Sequence, residues 1–261
     1  MHSPIIDLAQ ARILVSNDDG IHAPGIKVLE KIARAISKDV WTVAPETEQS
    51  AAGHSLTIRR PLRVRQVSRR RYSVDGTPTD AVLLGINHIL KDKKPTLVLS
   101  GVNRGANLGE DVTYSGTVAA AMEATILGIP AIAFSQYYTS DAVKWSTAEH
   151  WAPEIIRKVT RVGWGRNVLM NVNFPDVAAD RVTGIEITRQ GKRKIGDELT
   201  ERFDPRGESY IWIGAQRAEE RSTVGTDIEA VVRGAISVTP LCVDLTDQGT
   251  MRALTTIFAE G

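Results

Sequence analysis

Two adjacent acidic residues follow a short apolar run near the amino terminus. The letters ILVS at positions 13–16 are followed by NDDG, which places Asp18 and Asp19 side by side. An apolar run of this length that stops at a glycine-containing turn is typical of a buried strand. Neighbouring carboxylates raise each other's pKa, and a divalent cation removes that repulsion. The pair predicts a cation site, or alternatively a turn in which Asp18 caps the next segment and Asp19 is solvated.

Further oxygen donors follow two other apolar runs. Ser50 lies in the loop after residues 40–44, and Asn103 follows residues 97–99. If these runs are parallel strands, their carboxyl ends meet at the same edge of one sheet. Carboxylate, hydroxyl and amide oxygens suit Mg²⁺, Mn²⁺ or Ca²⁺ better than a metal that prefers thiolates.

A helix that could hold an anion begins near the same edge. Ser115, Gly116 and Thr117 open the alanine-rich segment 116–127, and a helix amino terminus offers free N–H groups and a positive dipole end. The alternative is an ordinary serine cap without a ligand. A cation site and an anion site at one edge together suggest a phosphate ester.

The elements that would position these residues alternate along the chain. The predicted strands are 13–16, 40–44, 97–99, 131–134, 167–173 and 235–238, and the predicted helices are 25–36, 79–90, 116–127, 148–159 and 227–232. Such alternation predicts an α/β fold with a doubly wound parallel sheet. Residues 190–209 are polar and charged between two alternating stretches, which predicts a protruding hairpin.

Composition restricts the class of protein. The chain has 261 residues with 32 Lys+Arg and 31 Asp+Glu, and its net charge of +1 argues against a dedicated nucleic-acid or membrane-surface protein. Its one cysteine allows neither an internal disulfide nor a cysteine-based zinc site. No stretch approaches the roughly 18 apolar residues of a membrane helix, and the amino terminus lacks a signal-peptide pattern. We therefore expect a cytoplasmic protein that binds no nucleic acid and no membrane.

Four sequence blocks resemble a known family. SNDDGIHAPGI (16–26), QSAAGHSLT (49–57), DGTPTDAV (75–82) and SGVNRGANLGEDVTYSGTVAAAMEA (100–124) are similar to the signature blocks of the SurE family, the survival-protein-E nucleotidases. The resemblance implies a Rossmann-like core, a protruding hairpin and a carboxyl-terminal tail that exchanges between subunits. It implies one domain over residues 1–261, with the core at 12–189, the hairpin region at 190–225 and a carboxyl-terminal segment at 226–261.

The resemblance also implies an activity and a site. The family comprises metal-dependent phosphatases that act on nucleoside monophosphates, so a 5′-nucleotidase is expected, with 3′-nucleotidase and exopolyphosphatase activities as further possibilities. One divalent ion, Mg²⁺ or Mn²⁺, would be held by four residues, and the phosphate by four others. By motif position the metal ligands are Asp18, Asp19, Ser50 and Asn103, the phosphate-binding residues are Asn107, Ser115, Gly116 and Thr117, and the catalytic residues are Asp18, Asp19, Asn107 and Ser115. A homodimer is implied, with a homotetramer as the alternative.

Other candidate residues have competing explanations. His54 lies in the loop after Ser50 and could protonate a leaving oxygen, but a loop histidine without that role is the preferred interpretation; His22 is likewise not expected to be a ligand. Residues 59–71 hold seven arginines, and aromatic residues are absent from this segment. A solvated strand pair is therefore favoured over a nucleic-acid surface.

Two other functions are alternatives from the sequence: a dinucleotide-dependent oxidoreductase and a non-catalytic interaction module. The G-x-G-x-x-G fingerprint of the oxidoreductase is absent after strand one.

Overall fold

The structure is a computed structural model that describes residues 6–140, 142–163, 165–195, 199–213, 217–219 and 223–259. Its strands are Arg12–Ser16 (β1), Asp39–Pro45 (β2), Val64–Ser68 (β3), Arg71–Val74 (β4), Leu97–Arg104 (β5), Ala131–Gln136 (β6), Val168–Phe174 (β7), Ile185–Ile187 (β8), Arg193–Ile195 (β9), Leu199–Phe203 (β10), Ser209–Ile213 (β11), Arg217–Glu219 (β12) and Ile236–Cys242 (β13). Its α-helices are Pro24–Arg34 (α1), Pro78–Leu84 (α2), Gly116–Ile126 (α3), Trp145–Val159 (α4), Asp227–Val232 (α5) and Gln248–Ala259 (α6).

Within the described ranges, nine strands form one sheet in the order β3-β4-β2-β1-β5-β6-β7-β13-β8. All neighbouring pairs are parallel except β3 with β4 and β7 with β13. The α/β prediction is therefore confirmed. From β1 the chain runs to β2, which pairs with one edge of β1, and β5 later pairs with the other edge. The order of the strands therefore reverses between β1 and β5. Ligands bind at the carboxyl ends of the strands beside such a switch point.

Buried side chains form a core on each side of the sheet. One cluster packs α1 and α4 against residues such as Ile13 and Phe134, and the other packs α2 and α3 against residues such as Leu14 and Val98. The alternation of Ile13 and Leu14 between the two clusters follows from the two-residue period of a strand. Both faces of the central strands are therefore covered, as a parallel sheet requires.

Several elements begin or end at other residues than the sequence predicts, and three differences are the most informative. Strand β5 continues through Arg104, past its predicted end at Leu99; its register with β6 shifts between Ser100 and Asn103 and then resumes. Helix α2 ends at Leu84 and a π-helical turn covers Gly85–Ile89. The carboxyl-terminal tail, for which no element is predicted, forms helix α6.

The polar region after β8 forms antiparallel ladders. Strands β10 and β11 pair from Leu199 with Ile213 to Phe203 with Ser209, and β9 pairs with β12. The predicted hairpin is thus present, and parts of it at 196–198, 214–216 and 220–222 lie outside the described residues. Among the residues described, no helix is long and apolar enough to cross a membrane.

Candidate active site

The switch point between β1 and β5 opens into a cavity of about 400 Å³. The side chains that line it come from the segments after β1 and β2, from the end of β5 and its following loop, from the start of α3, and from the segment after β6. They are Asp18, Asp19, Glu48, Ser50, Ala51, Asn103, Arg104, Gly105, Ala106, Asn107, Asp111, Tyr114, Ser115 and Tyr138. The structure therefore brings all four expected metal ligands together with Asn107 and Ser115.

Asp18 is almost fully buried at the end of β1. The hydroxyl of Thr117 donates a hydrogen bond to its Oδ1, and a Cβ added to Gly116 would lie only 2.7 Å from the Asp18 Cβ. Glycine at position 116 is thus required for the first turn of α3 to approach this carboxylate. Burial raises the pKa of Asp18 to about 7 despite the hydrogen bond from Thr117, and the charge of Asp19 adds to the rise.

Asp19 has a more open environment. It is partly buried, and the backbone N–H of Arg104 donates to its Oδ2 over 3.4 Å. Burial raises the pKa of Asp19, the Arg104 N–H opposes that rise, and the charge of Glu48 reinforces it. The alternative in which Asp18 is a cap and Asp19 is fully solvated does not describe either residue.

Ser50 and Asn103 complete the set of oxygen donors. The Ser50 hydroxyl donates to Glu48 Oε1 over 2.7 Å, and Asn103 Nδ2 donates to the Gly105 carbonyl over 2.9 Å. That second hydrogen bond uses the nitrogen of the Asn103 amide, so it does not consume the Oδ1 oxygen that a cation would need.

The chemistry of this donor set fits a hard divalent cation. Two carboxylates that are close together, one of them buried, are costly unless a positive charge compensates them. Among the described residues, no group of three or more His, Cys, Asp and Glu side chains could hold a metal. A cation at the switch point would therefore depend on the neutral oxygens of Ser50 and Asn103 in addition to Asp18 and Asp19, a combination suited to Mg²⁺ or Mn²⁺.

The expected phosphate residues divide into two groups. Asn107 and Ser115 line the cavity, and the Ser115 hydroxyl caps α3 by accepting from the Val118 N–H over 3.1 Å. Gly116 and Thr117 are buried beside Asp18 and are not among the lining residues. The hydroxyl of Thr117 donates to Asp18 and not into the cavity. A phosphate contact of Gly116 or Thr117 would have to use the backbone.

Several lining residues received no role from the sequence. The Arg104 guanidinium lies over the Tyr138 ring, 5.3 Å from its centre, and Tyr114 is an exposed aromatic residue on the same cavity. Arg104 follows Asn103 directly within the SGVNRGAN block, which is the signal that could have identified it. Tyr138 lies beyond β6, outside every block, and only the fold brings it to the site.

The two histidines considered from the sequence, His54 and His22, lie outside the set of residues that line the cavity. The Nε2 atom of His54 lies 3.0 Å from Glu123 Oε2 on α3, so this histidine joins the 50–57 loop to that helix. His54 is not among the residues that line the cavity, and His22 is exposed.

The fold and this cavity define an α/β protein with an oxygen-lined ligand site at the switch point of its sheet. Residues 13–197 match the family model described as Survival protein SurE. Curated proteins named 5′-nucleotidase SurE are similar over nearly their whole length: that of Paramagnetospirillum magneticum is 76% identical over 98% of both chains, and that of Rhodospirillum rubrum is 60% identical over 99% of this chain and 100% of its own. The crystal structure of the Sure protein from Aquifex aeolicus is 42% identical with a TM-score of 0.83, covering 94% of this chain and 98% of that one.

The chain belongs to the SurE family. The resemblance stated from the four blocks and the Rossmann-like α/β core are therefore confirmed. The assignment to the phosphoric monoester hydrolases is confirmed as well, because the relatives are named as such enzymes.

Proposed function

We propose that this protein is a divalent-metal-dependent phosphatase that hydrolyses nucleoside 5′-monophosphates to a nucleoside and phosphate. The observation that supports the proposal best is the convergence of two donor sets on one cavity. Carboxylate, hydroxyl and amide oxygens at the ends of separate chain segments suit a cation, and the start of α3 with Asn107 suits an anion. The names of the relatives specify the ester as a 5′-nucleotide.

One Mg²⁺ or Mn²⁺ ion would be held by Asp18, Asp19, Ser50 and Asn103. When bound, such an ion neutralises charge on a phosphoryl oxygen and lowers the pKa of a coordinated water. Thr117 contributes indirectly, because its hydroxyl holds Oδ1 of Asp18 in place.

The other residues of the cavity would bind and orient the reacting groups. Asn107, Ser115 and the N–H groups at the start of α3 hold the phosphate and stabilise the charge that grows on its oxygens. Asp19, the more accessible carboxylate, accepts a hydrogen bond from the attacking water and aligns it opposite the leaving nucleoside oxygen. We prefer direct attack by water to an aspartyl-phosphate intermediate, because a carboxylate that coordinates a cation is a poor nucleophile.

The rim of the cavity supports a nucleoside rather than a simple phosphate ester. Arg104 and Tyr138 stack on each other, and the ring of Tyr114 is exposed close by. Aromatic and guanidinium faces bind nucleobases by stacking, which tolerates different bases. Nucleoside 3′-monophosphates and short polyphosphates are possible further substrates of the same site.

The test is phosphate release from adenosine 5′-monophosphate with added Mn²⁺ or Mg²⁺ and with EDTA. We expect turnover with the metal and its loss with EDTA, and the Asp92→Asn variant, which changes an exposed carboxylate outside the cavity, should behave as the wild type. Adenosine 3′-monophosphate and tripolyphosphate are parallel arms of the assay. Turnover that EDTA leaves unchanged would refute the metal requirement, and no turnover with any metal would refute the phosphatase.

We also propose that copies of this chain associate through the carboxyl-terminal tail, as the family resemblance implies. In the part of the chain that the structure describes, α6 has no buried residue. Its apolar side chains recur at helical spacing, at Met251, Leu254, Ile257 and Phe258, and all are exposed. A second copy of the chain, in a closed two-fold dimer or a tetramer, would cover this face.

A further inference from the structure

A group of fully buried polar side chains packs against Asn107. Asn171 and Asn173 lie two residues apart on β7 and therefore on the same face of the sheet, and Ser135 of β6 is the register partner of Asn173. All three have no exposed surface, and none is among the residues that line the cavity. Polar groups in such a position are costly unless they are hydrogen-bonded.

The two asparagines bind the backbone of Asn107. The Asn107 N–H donates to Asn173 Oδ1 over 2.8 Å, and Asn173 Nδ2 donates back to the Asn107 carbonyl over 3.1 Å. Asn171 Nδ2 donates to the same carbonyl over 2.9 Å. An asparagine side chain carries the donor and the acceptor of a peptide group, so Asn173 pairs with the loop as a neighbouring strand would.

The side chain of Asn107 is fixed by a separate contact. Its Nδ2 donates one hydrogen to Ser135 Oγ over 2.7 Å. An amide nitrogen carries two hydrogens, so the second can be donated to an oxygen of a ligand. Backbone and side chain are thus held from the sheet, although Asn107 belongs to a loop that would otherwise be free to rotate.

We infer that Asn171 and Asn173 are positioning residues that set the place of Asn107 at the phosphate end of the cavity. The inference rests on the proposed function, which gives Asn107 its contact with phosphate. A hydrogen-bond donor contributes to catalysis only when it is held where charge develops. The loss of a contact that orients a metal ligand costs about 10- to 100-fold, and we expect an effect of that scale here.

A double-variant cycle tests this role. Asn173→Leu keeps the size of the side chain and removes both hydrogen bonds, and Asn107→Ala removes the group that is positioned. We expect Asn173→Leu to lower kcat for adenosine 5′-monophosphate about 10- to 100-fold and to weaken the Kd for inorganic phosphate in the presence of Mn²⁺. Because the residue acts through Asn107, the double variant should be no slower than Asn107→Ala alone.

Val172→Ala is the matched control, because Val172 is buried between the two asparagines on the other face of β7 and packs in the hydrophobic core. It should lower thermal stability and leave kcat within about twofold of the wild type. If Asn173→Leu does not fold, Asn171→Ala removes a single hydrogen bond and carries the same expectation. The inference would be overturned if the two single-variant losses in kcat multiplied in the double variant. It would also be overturned if the asparagine variants had the same kcat as the Val172→Ala control.

The outcome also separates this inference from the proposed function. A wild-type protein that releases no phosphate from the nucleotide refutes the proposed function. The positioning role is then tested by measuring the Kd for inorganic phosphate in the wild type, the two single variants and the double variant. Coupling between the two residues in that Kd supports the inference; independent effects, or a wild type that binds no phosphate, overturn it.

Discussion

Asp18 and Asp19 are neighbours in sequence, yet they lie in different surroundings. Asp18 is buried against the first turn of α3 and has one oxygen bound by Thr117, whereas Asp19 is partly open and touches only the Arg104 backbone among the described hydrogen-bond donors. A rigid, buried carboxylate is suited to anchor a cation. A more accessible one is suited to contact a water molecule as well.

We expect Asp18→Asn and Asp19→Asn each to abolish phosphate release while the protein still folds. Removing one negative charge weakens cation binding, and in Asp18→Asn it also removes a charge that is buried without a paired cation. The metal-free Asp18→Asn variant should therefore melt no lower than the wild type at pH 8. Activity assays at saturating Mn²⁺ and thermal unfolding measure the two effects, and near-wild-type turnover in both variants would contradict the assignment.

Asn107→Ala and Ser115→Ala should lower kcat by about ten- to a thousand-fold, the range for loss of one donor to developing charge. Ser115→Thr retains the hydroxyl and the helix cap, and should recover most of the activity. Steady-state kinetics with adenosine 5′-monophosphate distinguish the roles. A change in KM alone would mean that these groups bind the ground state and the transition state equally.

Tyr138→Ala should raise KM for adenosine 5′-monophosphate about two- to fivefold, which corresponds to loss of about 0.5–1 kcal/mol of stacking. The KM for ribose 5-phosphate, which has no base, should not change. Tyr138→Phe keeps the ring and serves as the control. An equal change for both substrates would show that the Arg104–Tyr138 pair does not contact the base.

At the scale of the elements, the arginine-rich segment 59–71 is explained by ion pairs. It includes β3, which pairs with β4 at one edge of the sheet, so the strand pair that the sequence favours is present. Five of its seven arginines contact acidic residues of other segments: Arg60 and Arg63 with Asp75, Arg65 with Glu46, Arg70 with Asp39, and Arg71 with Glu30. Each of these five guanidinium groups therefore has an acidic partner within the fold.

Helix α5 is joined to the active-site loop by one buried carboxylate. Asp227 accepts hydrogen bonds from the backbone N–H groups of Gly109 over 2.9 Å, Gly191 over 2.8 Å and Ile228 over 2.8 Å. These contacts connect the loop after Asn107 to the base of the hairpin region.

Asp227→Asn should destabilise the protein by about 1–3 kcal/mol, because the amide nitrogen cannot accept and leaves a buried N–H unpaired. Urea denaturation measures the free energy of unfolding, with Asp92→Asn as the exposed control. A difference from the wild type below about 0.5 kcal/mol, the scale of ordinary surface substitutions, would show that the loop rearranges without cost.

At the scale of the whole molecule, the apolar surface lies mainly outside the α/β core. The β10–β11 hairpin carries Phe203, Trp212 and Ile213 in exposed positions, and α6 adds Phe258, which is 82% exposed. A two-stranded hairpin is marginal in water, and contiguous exposed apolar groups mark interaction surfaces.

Truncation after Thr250 should reduce the oligomeric mass measured by light scattering. The substitution Phe258→Asp should act in the same direction, because it places a charge in the proposed contact, whereas Thr256→Asp alters the same exposed helix outside the apolar set. A wild-type protein that is monomeric at micromolar concentration would refute association altogether. An oligomeric mass that truncation leaves unchanged would refute the role of the tail in association.

Local sequence determined the alternation of strands and helices, and with it the α/β class, because periodicity and strand-end residues are properties of neighbouring positions. The proposed ligands Asp18, Ser50 and Asn103 could be named from blocks that resemble the family and that lie at or near strand ends, which meet at one edge of the sheet. Tertiary structure alone decided what surrounds them. The hydroxyl of Thr117 turns to Asp18, 99 residues away, and the amide of Asn173 binds the backbone of Asn107, 66 residues away. Such contacts depend on how the sheet orders its strands and which face each side chain takes, and no local pattern specifies them.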